Sequence, residues 1–155
     1  MTVGGKKMTN PIRLLAGAAF LLATLAAGHA GAATLKVLSV EAMKPALQQL
    51  VKDFRKESKN KVKVQYASEA TIEKKVTAEE DYDVVILDKK AANKFRVAAK
   101  VAGGSIKDLA KKDSDVYTAA MINWTMQPRP AMKLIDFLHT PEAAKVYKAK
   151  GLQPG

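Results

Sequence analysis

Val84-Val85-Ile86-Leu87 is the stretch that most narrows the fold, because four large aliphatic residues follow one another without alternation. A strand with one wet face alternates apolar and polar residues; an unbroken run is expected of a strand covered on both faces, as in a parallel sheet. Parallel strands need long crossovers, usually helical, and the preceding sequence supplies them. Leu35 to Val40 reads as a strand. Met43, Leu47, Leu50, Val51 and Phe54 then fall on one face of a 3.6-residue period, predicting a helix over 42–58. Pro45 is tolerated in its first turn, where no intrahelical N–H bond is lost. Lys61 to Tyr66 alternates as a second strand. A short helix through about residue 78 turns Ile72 and Val76 inward. The acidic turn Glu79 to Asp83 leads to the central run, and Asp88 is placed to cap a third helix ending near Lys100. The order β-α-β-α-β-α implies a right-handed, parallel α/β sheet.

Beyond Gly103-Gly104 the pattern weakens. Residues 105–115 are polar and lysine-rich, with only Ile106 and Leu109 as an apolar pair, and predict no regular element. Val116 to Ile122 reads as a further strand. Pro128 and Pro130 bracket a turn before a helix with Met132, Leu134, Ile135, Phe137 and Leu138 inside. Thr140-Pro141-Glu142 starts a last helix with an N-cap, a proline at the first position and an acid in the first turn. Gly151 ends it as a left-handed cap. Residues 33–155 form one domain.

The first 32 residues read as an address. Lys6, Lys7 and Arg13 form a basic start, Leu14 to Ala27 is an apolar run of fourteen residues, and small residues follow through Ala33. Fourteen residues fall short of the roughly 20 needed to span a membrane. The pattern is that of a secretory signal peptide with Ala30-x-Ala32 as the cleavage motif, so a periplasmic protein without a stable membrane anchor is expected. From residue 33 on there are 23 basic and 15 acidic residues. The lysines are dispersed among apolar positions, as on solvated faces, and export argues against a nucleic-acid partner.

No catalytic motif is present. The chain has no cysteine, and neither a nucleophile elbow, a zinc-protease motif nor a phosphate loop occurs, so neither enzyme activity nor a cofactor is expected. His139, at a helix C-terminus, complements the helix dipole. The acids of 79–83 lack calcium-loop spacing and read as a solvated turn. Met43, Met121, Met126 and Met132 read mostly as core filler. The informative places are two strand-to-helix junctions, Ser39-Val40-Glu41-Ala42 and Ala67-Ser68-Glu69-Ala70-Thr71. Ligands of open α/β sheets bind beyond the carboxyl ends of the strands, and free N–H groups with nearby hydroxyls suit an oxyanion. Ser68 and Thr71 equally suit capping of their own helix.

Two segments, TLKVLSVEAMKPALQQLVKDFRKESKNKVKVQYASEATIEKKVTAEEDYDVVILDKKA and VYTAAMINWTMQPRPAMKLIDFLHTPEAAKVYKAKGLQPG, resemble the N- and C-terminal parts of periplasmic molybdate-binding proteins. IDFLHTPEAAKVYKAKGLQPG is the most specific piece. The resemblance implies a type II periplasmic-binding-protein fold: an αβα lobe of three layers, mostly parallel, with one late strand of opposite direction. Only about fifteen residues separate the two matches, which implies the first lobe alone. The implied role is the solute-binding subunit of an ABC importer, taking a small oxyanion of the molybdate and tungstate class and meeting a permease. The positions matching the family's two ligand hydroxyls are Ala42 and Glu69, with Ser39, Ser68, Ala70 and Thr71 alongside. Three other readings remain open: a homodimer completing the pocket, a ligand-free module docking on a permease, sensor or other envelope protein, and a cation site built from Glu41, Glu69 and Asp88.

Overall fold

The computed structural model describes residues 31–155; the signal-peptide reading falls almost wholly on residues 1–30, outside the described residues. In chain order the elements are β1 (Thr34–Val40), α1 (Lys44–Ser58), β2 (Lys61–Ala67), α2 (Glu69–Thr77), β3 (Val84–Asp88), α3 (Lys89–Val97), β4 (Lys107–Lys112), β5 (Asp115–Met121), α4 (Pro128–Leu138), α5 (Pro141–Ala149) and β6 (Gln153–Pro154). One six-stranded sheet has the order β2-β1-β3-β5-β4-β6. The crossovers through α1 and α2 make β2, β1 and β3 parallel, with Val37 paired to both Val64 and Val84. β5 is the late strand of opposite direction, antiparallel to β3 and to β4, and the two-residue β6 runs with it. Helices cover both faces: α1 packs with α4 and α5, while α2 and α3 approach one another on the other side, where Glu73 and Lys94 lie 4.0 Å apart.

Burial follows the reading of the central run. Val84, Val85, Ile86 and Leu87 are all fully buried, as a strand between two helical layers must be. α1 buries Leu47, Leu50 and Phe54, and Phe54 meets Phe137 of α4 with ring centroids 5.3 Å apart. Its start is tighter than the periodicity predicts: Glu41–Met43 forms a 3-10 turn and the α-helix begins at Lys44. The last helix closes as expected. Gly151, at φ 79°, follows α5, and the N–H groups of Leu152 and Gly151 return to the carbonyls of Tyr147 and Lys148, a Schellman cap.

Several expectations are corrected. The lysine-rich stretch is the strand β4, which shifts register between Asp108 and Ala110, so Leu109 and Ala110 are both buried and no alternation shows in the sequence. α3 ends at Val97, because Ala99 turns into the left-handed region and Lys100 N–H bonds the Phe95 carbonyl. Pro128 and Pro130 lie inside the first turn of α4 instead of preceding it, where their missing N–H groups cost nothing. Met126 is 92% exposed rather than core filler. The acidic turn is solvated only at Glu79, Glu80 and Asp81. Asp83 is buried; its carboxylate accepts from the Lys36 N–H at 2.8 Å and from the Thr125 hydroxyl. It ties β1 to the loop after β5.

Candidate functional site

Three strands of one direction present their carboxyl ends together, and each is followed at once by a helical turn. At that end lies a cleft of about 370 Å³ lined by Val40, Ala42, Glu69, Asp88, Lys90, Lys94, Asp115 and Tyr117, with Ala91 beneath. Each strand and helix contributes for a local reason. Ala42 lies in the tight turn after β1, Glu69 in the first turn of α2, and Asp88 at the end of β3. Asp88 caps α3 by accepting the Lys90 N–H at 2.8 Å. Lys90 and Lys94, four residues apart on α3, share one face. The antiparallel pairing sets Tyr117 opposite Asp88 and so carries Asp115 to the rim.

The residues singled out from sequence divide clearly. Ala42 and Glu69 line the cleft, and Asp88 joins them. Ser39 does not: it is fully buried in the central strand β1, and its hydroxyl donates to the Val40 carbonyl at 3.1 Å. Ser68 is the N-cap of α2; its Oγ accepts the Thr71 N–H at 3.3 Å and lies 2.9 Å from the Thr71 Oγ1. These two hydroxyls serve each other and the helix, in accord with the capping alternative. A helix leaves its first N–H groups without intrahelical acceptors, so those of Glu69 and Ala70 stand outside the Ser68 cap. Glu41 is exposed and is not among the lining residues. Among the described residues no group of three or more His, Cys, Asp or Glu side chains is arranged to hold a metal ion. His139 caps α4, with Nδ1 2.9 Å from the Asp108 carbonyl oxygen, away from the cleft.

The electrostatics are mixed. Partial burial, then Asp88 and Glu73, raise the Glu69 carboxyl above its ordinary pKa. Burial, followed by Asp115 and Asp88, likewise pushes the Tyr117 phenol up. Glu69, Asp88 and Asp115 make no salt bridge among the described residues, although two lysines share the cleft. Lys90, Lys94, Asp115 and Tyr117 escape a sequence reading centred on the first two junctions. The third junction, Asp88 into α3, carried the signal for the lysines; nothing local marks Asp115 and Tyr117, which arrive through a strand pairing.

An open α/β sheet sandwiched by helices, with a polar cleft beyond the ends of its parallel strands, matches the fold of the periplasmic binding proteins. The profile of the family described as bacterial extracellular solute-binding protein matches residues 35–114, and the chain belongs to that family. Solved structures agree on the fold. The substrate-binding domain assigned to a molybdenum ABC transporter of Clostridium difficile superposes with a TM-score of 0.75 at 10% identity, covering 80% of this chain and 100% of that one. The periplasmic molybdate-binding protein of Azotobacter vinelandii gives 0.72 at 12% identity, covering 78% of this chain and 99% of the other. Iron-bound HitA of Pseudomonas aeruginosa gives 0.67 at 9% identity, over 79% of this chain and 86% of its own. No curated protein sequence matches the chain. Among the described residues no helix is long and apolar enough to cross a membrane.

Proposed function

We propose that the chain is an exported solute-binding subunit that works with an ABC permease and takes a small oxyanion, of the molybdate and tungstate class, in the cleft at the strand ends. The observation that carries this reading is the position of the cleft in a solute-binding fold: Glu69 in the first turn of α2 and Lys90 and Lys94 of α3 line one space of about 370 Å³ beyond the strand ends. Residues 33–155 act as a single lobe, in which β4 passes directly to β5 through a turn at Asp113 and Ser114. Ala42 contributes backbone only, and the Glu69 carboxylate narrows the choice of anion by repulsion.

A second reading has one observation in its favour. The carboxylates of Glu69, Asp88 and Asp115 line the cleft without an ion pair, which favours a ligand carrying a single positive charge, such as an organic amine; among the described residues no three acids are set to hold a metal ion. A thermal-shift panel with molybdate, tungstate, sulfate, phosphate and several organic ammonium cations separates the two. Ligand at about 1,000 times its dissociation constant adds about 4 kcal/mol, and a domain of this size moves by roughly 3–5 °C per kcal/mol. A shift of about 12 °C or more with an oxyanion supports the first reading; one confined to cations supports the second. No shift with any of them removes both and leaves a ligand-free docking module.

A further inference from the structure

Away from the strand ends, the helical layer of α1, α4 and α5 carries a groove that the solute-binding role does not use. Two cavities of about 410 and 460 Å³ share Glu57, Phe137 and Thr140 and so form one trough. Its floor is apolar: Leu50 and Phe54 from α1, Phe137 from α4 and Val146 from α5. Its rim is acidic. Asp53, Glu57, Asp136 and Glu142 line it, and Lys133 is the one cationic lining residue. Asp53 lies 3.6 Å from Lys56, whereas Glu57, Asp136 and Glu142 form no salt bridge among the described residues. In a region where 23 basic residues outnumber 15 acidic ones, this concentration of unpaired carboxylates around apolar surface stands against the field of the rest of the molecule.

We propose that this groove docks a basic amphipathic helix of a partner protein. The shape argues for a helix. The walls are themselves helices, and the stretch of α1 from Leu50 to Glu57 rises about 10 Å, two turns of an incoming helix. Apolar side chains at i, i+3 or i+4, and i+7 would sit on the Phe54–Phe137 floor, and flanking Lys or Arg side chains would meet the rim, as in other helix-in-groove contacts. Charge complementarity selects the sign of the partner: the net positive charge of the chain disfavours a basic peptide over much of the surface, and the acidic rim reverses that locally beside apolar ground.

The test uses the full chain and a fluorescent peptide of two Leu-Lys-Lys-Leu-Leu-Lys-Lys repeats, with a control in which every lysine is glutamate. Fluorescence anisotropy at low salt should show saturable binding of the lysine peptide, at least tenfold tighter than the glutamate peptide and weakened by added salt. The variant Glu57→Gln/Asp136→Asn/Glu142→Gln changes only exposed side chains, and circular dichroism checks its fold. It should lose about tenfold or more in affinity, while Glu79→Gln/Asp81→Asn/Asp113→Asn, which removes the same number of charges from exposed positions elsewhere, should bind like the parent. Equal binding of both peptides, or undiminished binding by the triple variant, overturns the proposal. So does concentration-dependent self-association that the triple variant abolishes, which would make a second copy the occupant.

Discussion

Asp83 offers the sharpest test of how this fold is held together. Its carboxylate, 4% exposed, accepts from the Lys36 N–H at 2.8 Å and from the Thr125 hydroxyl, while its backbone bonds Lys36 on one side and Ile122 on the other. Hydrogen bonds to a charged group contribute about 1.5–3 kcal/mol each, and an abandoned buried donor costs about 1–3 kcal/mol. Relief of the carboxylate's own desolvation offsets part of this. Asp83→Ala should therefore cost about 3 kcal/mol, lowering the melting midpoint by roughly 9–15 °C at this domain size. Asp83→Asn keeps an acceptor for Lys36 and an amide for Thr125, so it should cost about half as much. Thr125→Val removes one donor, and a double-mutant cycle with Asp83→Ala should return a coupling of about 1 kcal/mol. Urea unfolding followed by circular dichroism measures all of these. A loss below about 1 kcal/mol for Asp83→Ala, or no coupling to Thr125, would refute the view that this carboxylate clamps β1 to the loop after β5.

Two further outcomes follow from backbone and charge. Ala99 holds φ 53° in the left-handed cap of α3, a conformation that costs an L-residue about 1–2 kcal/mol. Ala99→Gly should stabilise by about 1 kcal/mol after the added entropy of the unfolded chain, whereas Ala98→Gly next to it, at φ −78°, should destabilise. Glu69 has its folded-state pKa raised by partial burial, Asp88 and Glu73. Ionised Glu69 therefore opposes folding above that pKa, and the penalty disappears as the pH falls through it. Glu69→Gln should raise the melting midpoint at pH 7, and the gain should vanish below about pH 4, the ordinary carboxylate range.

Local sequence carried those elements of the fold that have a complete local cause. The aliphatic run at 84–87 sits between two helical layers, the face of α1 shows its period, and Ser68, Asp88 and Thr140 each cap the helix that follows. β4 was illegible for an equally physical reason. The register shift at Asp108 and Ala110 places two neighbouring residues inside, which erases the alternation that marks a strand. Asp83 was hidden because its partners lie 47 and 42 residues away; in the sequence it is one more acid in an acidic turn.

The cleft shows the same division and explains why its charge could not be read from the junctions alone. Parallel strands followed by helices bring helix N-termini to one end of the sheet, and that geometry by itself favours anions. β5 runs the other way, so its first residue, Asp115, arrives at the end where β3 finishes, with Tyr117 paired to Asp88. One antiparallel strand thus adds carboxylate and phenol to a cleft that the parallel part lines with Glu69, Lys90 and Lys94. The balance between anion and cation is set by strand direction as much as by residue type. Glu69 stands where the two contributions meet, in the first turn of α2 and within the influence of Asp88. Replacing it shifts that balance without touching the Ser68 cap, which makes Glu69 the residue through which the choice of ligand charge is most directly tested.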